Sequence, residues 1–408
     1  MKGKLIIVAL FLAIAGVILW RARGTFDGSP SPGADGRVTA SEPSAVTAGP
    51  TPATPPTPPG VTTDISLLYS TEKKEWIESA AADFAKAHPE IKVTLSGRGS
   101  LDAAQAILDG KEKPTLFSPA DTLVLNLLDA DWQTKNRSNL YGKDDDAPQP
   151  LVITPLVFAI WEDRAKVLQK AAGDHISWKT IQKAVAGNRG WPAVGGKSEW
   201  GFVKLGHTDP TKSNSGMQAL LLMTLEFYGK TTGLTVGDLL KPEYQSFVAS
   251  IERGVSKFET STGTFMTDMI RFGPSKYDIA VVYENLAISQ IENAQGRWGN
   301  LRIYYPQTTL WSDHPVALMQ GDWVSDAQKQ AARVLIGFLR SRPVQERALT
   351  YGFRPADPTV PIRTADGQNP YTRLASYGVS VDIPPVATPP DGPVIRNMLT
   401  MWSRVVAK

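Results

Sequence analysis

The chain has 408 residues, 43 Lys and Arg against 40 Asp and Glu, 42% hydrophobic residues and no cysteine. Residues 1–60 carry five of the basic and three of the acidic groups, so 38 and 37 remain for a body too evenly charged to present a nucleic-acid-binding face. Without cysteine there are no structural disulfides, no thiolate chemistry, no Cys-ligated metal and no lipid-modified N-terminal Cys.

Residues 5–20 form an unbroken apolar or small run, with Lys2 and Lys4 before it and Arg21 and Arg23 after it. Residues 1–23 therefore read as an uncleaved signal anchor, a single-pass transmembrane helix with the long body outside the cytoplasm. Cleavage at the small residues Ala22 and Gly24 is the alternative. Residues 24–61 are Pro, Ser, Thr, Ala and Gly with few apolar anchors, a composition that cannot bury a core and reads as a tether. At roughly 3 Å per residue it holds the body on the order of 100 Å from the membrane.

The body opens with three strand–turn–helix units. Residues 64–69 read as a buried strand, followed by the polar turn Ser70-Thr71-Glu72 and a helix with Trp76, Ala80 and Phe84 on one face. Residues 91–95 are the second strand, and Ser100 opens a helix carrying Leu101, Ala104 and Leu108. Residues 115–117 are the third, with Ser118 and Asp121 as a capping box and Pro119 at the first helical position. In an open α/β sheet the carboxyl ends of the strands are where ligands sit, so three hydroxyl-bearing turns at one edge mark a candidate site.

Residues 129–150 read as irregular surface, 151–161 as a strand, and helical spacing resumes at Trp178. A strand over 200–205 leads into a polar loop, with Thr208, Ser213, Asn214 and Ser215 ahead of a helix and Gly216 permitting close backbone approach. A helix start carries unpaired N–H groups and the positive end of the dipole, which suits an anionic or strongly hydrogen-bonding ligand. The unit recurs at 278–285, a buried strand ending in Tyr283, Glu284 and Asn285. Further strands fall at 301–305 and 316–319, an amphipathic helix at 327–339, a turn at 351–355 and a last helix at 394–406.

Ser70, Ser100, the loop from Asp209 through Ser213 to Gly216, and the strand ending in Tyr283 resemble bacterial extracellular solute-binding proteins of the type II periplasmic-binding fold. The likeness is to the molybdate/sulfate-like branch of ABC transporter substrate-binding proteins. Residues 315–318, the helix after them, Gln345 and Gly352-Phe-Arg-Pro355 resemble that family's closing segment.

The resemblance implies an α/β chain of two lobes, each a sheet flanked by helices, joined by two crossing strands with a ligand cleft between. Lobe one would be 62–155 with 310–408, and lobe two 156–309. It implies no enzyme activity and no cofactor, a small polar or anionic solute, and a membrane permease or envelope partner. Ser70, Thr71, Ser100, Ser118, Thr208, Ser213, Asn214, Ser215, Tyr283 and Glu284 are the expected ligand-binding residues. Neutral donors solvate a dianion without a buried cation, whereas Glu284 facing the cleft would repel one.

Two readings compete. Ser70-Thr-Glu-Lys73 matches S-x-x-K, the signature of penicillin-recognising acyl-transfer enzymes, but the companion S-D-N and K-T-G motifs are missing. A ligand-free envelope scaffold of the same fold is the other. His207 with Asp209 and His314 with Asp313 lack metal-ligand spacing, and they read as a loop residue and a strand-start residue.

Overall fold

The computed structural model describes residues 62–406 apart from 174, 188, 365, 366 and 368. The expected signal anchor and tether lie outside the described residues. Among the described residues no helix is long and apolar enough to cross a membrane.

Eleven strands are described: β1 (Thr63–Ser70), β2 (Ile91–Arg98), β3 (Leu116–Ser118), β4 (Gln149–Pro150), β5 (Val152–Trp161), β6 (Leu205–Gly206), β7 (Ile279–Tyr283), β8 (Leu301–Tyr304), β9 (Trp311–Ser312), β10 (Pro315–Leu318) and β11 (Arg354–Pro355). The first sheet has the order β2-β1-β3-β10-β4. Its β1, β2 and β3 are parallel, and β10 runs antiparallel to both β3 and β4. The second runs β11-β5-β7-β6, with β8 and β9 also paired to β5. β6 is parallel to β7, and every pairing of β5 is antiparallel.

The last four residues of β1 and all five of β7 are buried, as expected where helices cover both faces of a sheet. Helix Lys74–Ala87 buries Trp76, Ile77, Ala80 and Phe84 as one stripe against the first sheet. The chain leaves the first sheet at Leu151, between β4 and β5, and returns through Asp313 and His314, between β9 and β10. The backbone N–H of Leu151 donates to the His314 carbonyl at 3.3 Å, so the two passages are tied together. A single hydrophobic cluster runs from Phe117 and Ala317 of the first sheet through Phe158 and Val281 of the second to Met398 and Trp402.

Three local expectations change. Ser118 does not cap a helix: it ends β3, and helix Thr122–Asn136 begins later, its N-terminus capped by Asp121 accepting from the Leu123 N–H. Lys73 draws on the carbonyls of Ser118 and Pro119, and the Ala120 N–H donates to Ser100, so this stretch bonds outward instead of starting a helix. That same helix carries order through Asn136, well into the stretch read as irregular. The strand expected over 200–205 shrinks to Leu205–Gly206, preceded by a short turn at Ser198–Trp200.

Candidate functional site

The strand-end turns of the first sheet gather around one buried ammonium. Lys73 is fully buried, and its Nζ lies 2.5 Å from Ser70 Oγ, 3.0 Å from each of the Ser118 and Pro119 carbonyls and 3.2 Å from His314 Nδ1. Glu72 lies 3.9 Å from that ammonium and 3.3 Å from His314, and it accepts a short bond from Ser70. Burial is the largest influence on all three ionisable groups. It depresses the Lys73 ammonium to about 8, with the Glu72 charge offsetting only part of the desolvation. It likewise drives His314 down to about 4, helped by the neighbouring ammonium. For Glu72 burial acts upward, yet the hydrogen bond from His314 and the Lys73 charge override it and hold the carboxyl at about 2.

This arrangement bears on the acyl-transfer reading. Ser70 and Lys73 are in contact, as an S-x-x-K pair requires, but the serine proton is directed at Glu72 while the lysine donates to carbonyls. An ammonium so engaged has no lone pair to deprotonate the serine. Ser70 is 1% exposed in this arrangement.

The second sheet's turns meet this cluster from the other side. Asn214 donates to the Tyr283 hydroxyl at 3.0 Å, and the Tyr283 ring packs edge-on against His314 at 5.7 Å. Gln218 donates to Asp121 at 2.8 Å and to Ser312 at 2.9 Å. Burial, reinforced by Asp313, raises the Asp121 carboxyl to about 7. Ser118 Oγ, Asn214 Oδ1, Gln218 Oε1 and His314 Nε2 are buried here without a partner.

The remaining expected residues do other things. Thr208, Ser213 and Ser215 bond to each other and to Thr262, with Thr208–Ser215 and Ser215–Thr262 both at 2.7 Å. Gly216 allows this, since a Cβ there would lie 2.2 Å from the Thr208 carbonyl. Glu284 is fully buried in a bidentate pair with Arg354, both contacts 2.8 Å, and accepts also from Tyr305 and Tyr371. It holds the closing segment, with its side chain shut off from solvent.

Between the two sets of turns a groove of about 660 Å³ opens to solvent. Thr71, Glu72, Glu75 and Glu78 form one wall; Gly263, Thr264, Asp268 and Asn285 form the other. Thr71 and Ser261 share a 2.9 Å hydroxyl contact across the seam, and Asn285 donates to the Glu72 carbonyl at 3.2 Å. Further along, the Asp102 N–H donates to the Lys212 carbonyl at 3.1 Å. Gly99 lies at that contact, where a Cβ would stand 2.6 Å from the Thr260 carbonyl. Sequence reasoning placed Thr71 at the site and named Asn285 in a strand-end turn, but passed over Gly263, Thr264 and Asp268 of the far wall. Its helix, Thr262–Phe272, announces itself by the Ser261 cap and by Phe265, Met266, Met269 and Ile270 at helical spacing.

The opposed shifts give a pH prediction. His314, lowered in the folded state, loses stability as pH falls from about 6.5 to 4, because the unfolded chain takes the proton first. Asp121, raised when folded, gains stability as pH falls from about 7 to 4, because the folded chain takes the proton first. The two offset each other in the wild type. H314N should therefore become more stable on going from pH 7 to pH 4, and D121N less stable, each by on the order of 3 kcal/mol against wild type. Urea unfolding at the two pH values reads this directly, and parallel profiles for the two variants refute it.

A profile of the family described as "Bacterial extracellular solute-binding protein" matches residues 65–354. No curated protein matches the sequence. Among solved structures, the sulfate-binding protein SubI from Mycobacterium tuberculosis is similar at 18% identity and TM-score 0.52, over 79% of this chain and 93% of that one. The periplasmic binding protein AfuA from Actinobacillus pleuropneumoniae, with fructose-6-phosphate bound, is similar at 13% identity and TM-score 0.55, over 85% and 99%. The ferric binding protein from Campylobacter jejuni gives 11% identity and TM-score 0.53, over 84% and 97%. These identities speak to the fold alone: a type II periplasmic-binding architecture of mixed sheets flanked by helices. With the family profile spanning most of the body, the chain belongs to the bacterial extracellular solute-binding proteins.

Proposed function

We propose that this protein is a membrane-tethered extracytoplasmic receptor that holds a small polar solute in the groove between its two sheets. It presents that solute to an ABC permease or reports it to an envelope partner. Residues 1–23 anchor it and residues 24–61 set its reach. The lobes follow the two sheets, with Leu151 and residues 313–314 as the crossings, and the solute stabilises the closed arrangement by its greater affinity for it. The observation that carries this reading is the groove itself, with walls from both halves and a lining of strand-end and helix-start residues.

The protein's own Lys73, Glu72 and His314 fill the point where the strand ends converge, so the solute sits beside that cluster in the groove. The same self-filled centre favours a second reading, a scaffold that has given up its ligand.

Thermal unfolding of the full-length chain against a broad solute panel separates the two. A receptor gains about 2.7 kcal/mol at a hundredfold excess of solute over Kd. T267W, on the exposed groove wall, should abolish that gain while leaving the unliganded midpoint near wild type. No shift with any solute, together with recovery of envelope proteins in a pull-down, establishes the scaffold instead.

A further inference from the structure

We propose that the groove selects a solute carrying a positively charged nitrogen, a primary ammonium or a guanidinium, over an oxyanion. This deepens the receptor reading and rests on it. The lining presents the carboxylates of Glu72, Glu75, Glu78 and Asp268 against the single ammonium of Lys74.

Two of the four carboxylates are already balanced: Glu72 by the buried Lys73, and Asp268 by Lys276 at 2.5 Å. Glu75 and Glu78 have no cation within ion-pair distance among the described residues. Among the described residues, the side-chain donor to Glu78 is the Tyr69 hydroxyl at 3.4 Å. Opposite them Asn285, 2% exposed, has its amide nitrogen engaged with the Glu72 carbonyl and its Oδ1 without any donor. The unsatisfied groups Glu75, Glu78 and Asn285 Oδ1 are all acceptors, which a ligand rich in N–H groups satisfies and a deprotonated oxyanion cannot.

Helix starts at the groove bring partial positive charge, but Glu75 already occupies the first turn of one of them, so an incoming dianion meets a carboxylate there.

The test is titration calorimetry on the full-length protein with 1,4-diaminobutane and L-arginine amide as cationic probes, and sulfate and molybdate as anionic ones. The cationic probes should bind and the anions should not. E75Q/E78Q should weaken cation binding by about tenfold or more, and T267W should remove it. Both glutamates are exposed, and an unchanged unfolding midpoint in E75Q/E78Q shows that the fold is intact. Cation binding that ignores E75Q/E78Q overturns the proposal. Binding of a neutral or anionic solute that T267W blocks, with the cations silent, overturns it and leaves the receptor reading standing. Silence from these probes and from the broad panel overturns both.

Discussion

Replacing Lys73 with alanine is expected to lower the folding free energy by about 3–5 kcal/mol, as removal of one partner from a buried ion pair does. The truncation leaves Glu72 charged and 7% exposed, with His314 and Ser70 as its remaining polar neighbours, and it strips the Ser118 and Pro119 carbonyls of their donor. The pair also has a cost of its own, since desolvation outweighs the Coulombic gain at Lys73. K73M/E72Q should therefore recover most of the loss, the apolar stem filling the same space without a stranded charge. Urea unfolding of wild type, K73A and K73M/E72Q at pH 7 reads both effects. A loss below 1 kcal/mol in K73A, or a double variant no better than the single, is inconsistent with a charged, structurally required ammonium.

A comparable loss, again about 3–5 kcal/mol, is expected for E284A, by way of a different element. Arg354 is 4% exposed and would keep only the Ser380 and Val381 carbonyls as acceptors. Tyr305 and Tyr371 lose an acceptor at the same time, although Tyr371 retains the Gly352 carbonyl at 2.7 Å. The consequence should be local before it is global. Amide exchange across residues 370–382 should accelerate in E284A more than exchange in β1 or β7. Uniform acceleration would place the pair's role elsewhere. Because these contacts face the closing segment, solute affinity is expected to change far less than stability.

Much of the architecture could be read from the residues because it is written locally. The stripe of Trp76, Ala80 and Phe84, the apolar run over 151–161 and the buried strand ending at Tyr283 each carry their period or their length within a dozen residues. Which turns come together was legible: Ser70, Ser118, Asn214 and Tyr283 all contact or flank the cluster around His314 and Lys73. What each side chain does there was not legible, since it depends on partners more than forty positions away. Glu284 was expected in the cleft and instead faces Arg354, seventy positions on. Thr208 and Ser215 were expected as donors to a ligand; they bond to each other, and Ser215 bonds on to Thr262. Lys73 looked like a catalytic candidate from its spacing to Ser70, and only the carbonyls of Ser118 and Pro119 reveal it as an anchored ammonium.

Helix Gly392–Val406 touches both halves of the molecule. Arg396 pairs with Asp131 at 2.8 Å and reaches the Leu127 carbonyl, beside the first sheet, while Trp402 donates to Glu252 at 2.8 Å beside the second. A rod riveted at both ends along the spine limits how a book can open. Any swing of one cover away from the other must hinge on this rod or strip one of its rivets, and the strip would expose Met398, Met401 and Trp402 to water. Wide separation of the two sheets therefore costs one of these contacts.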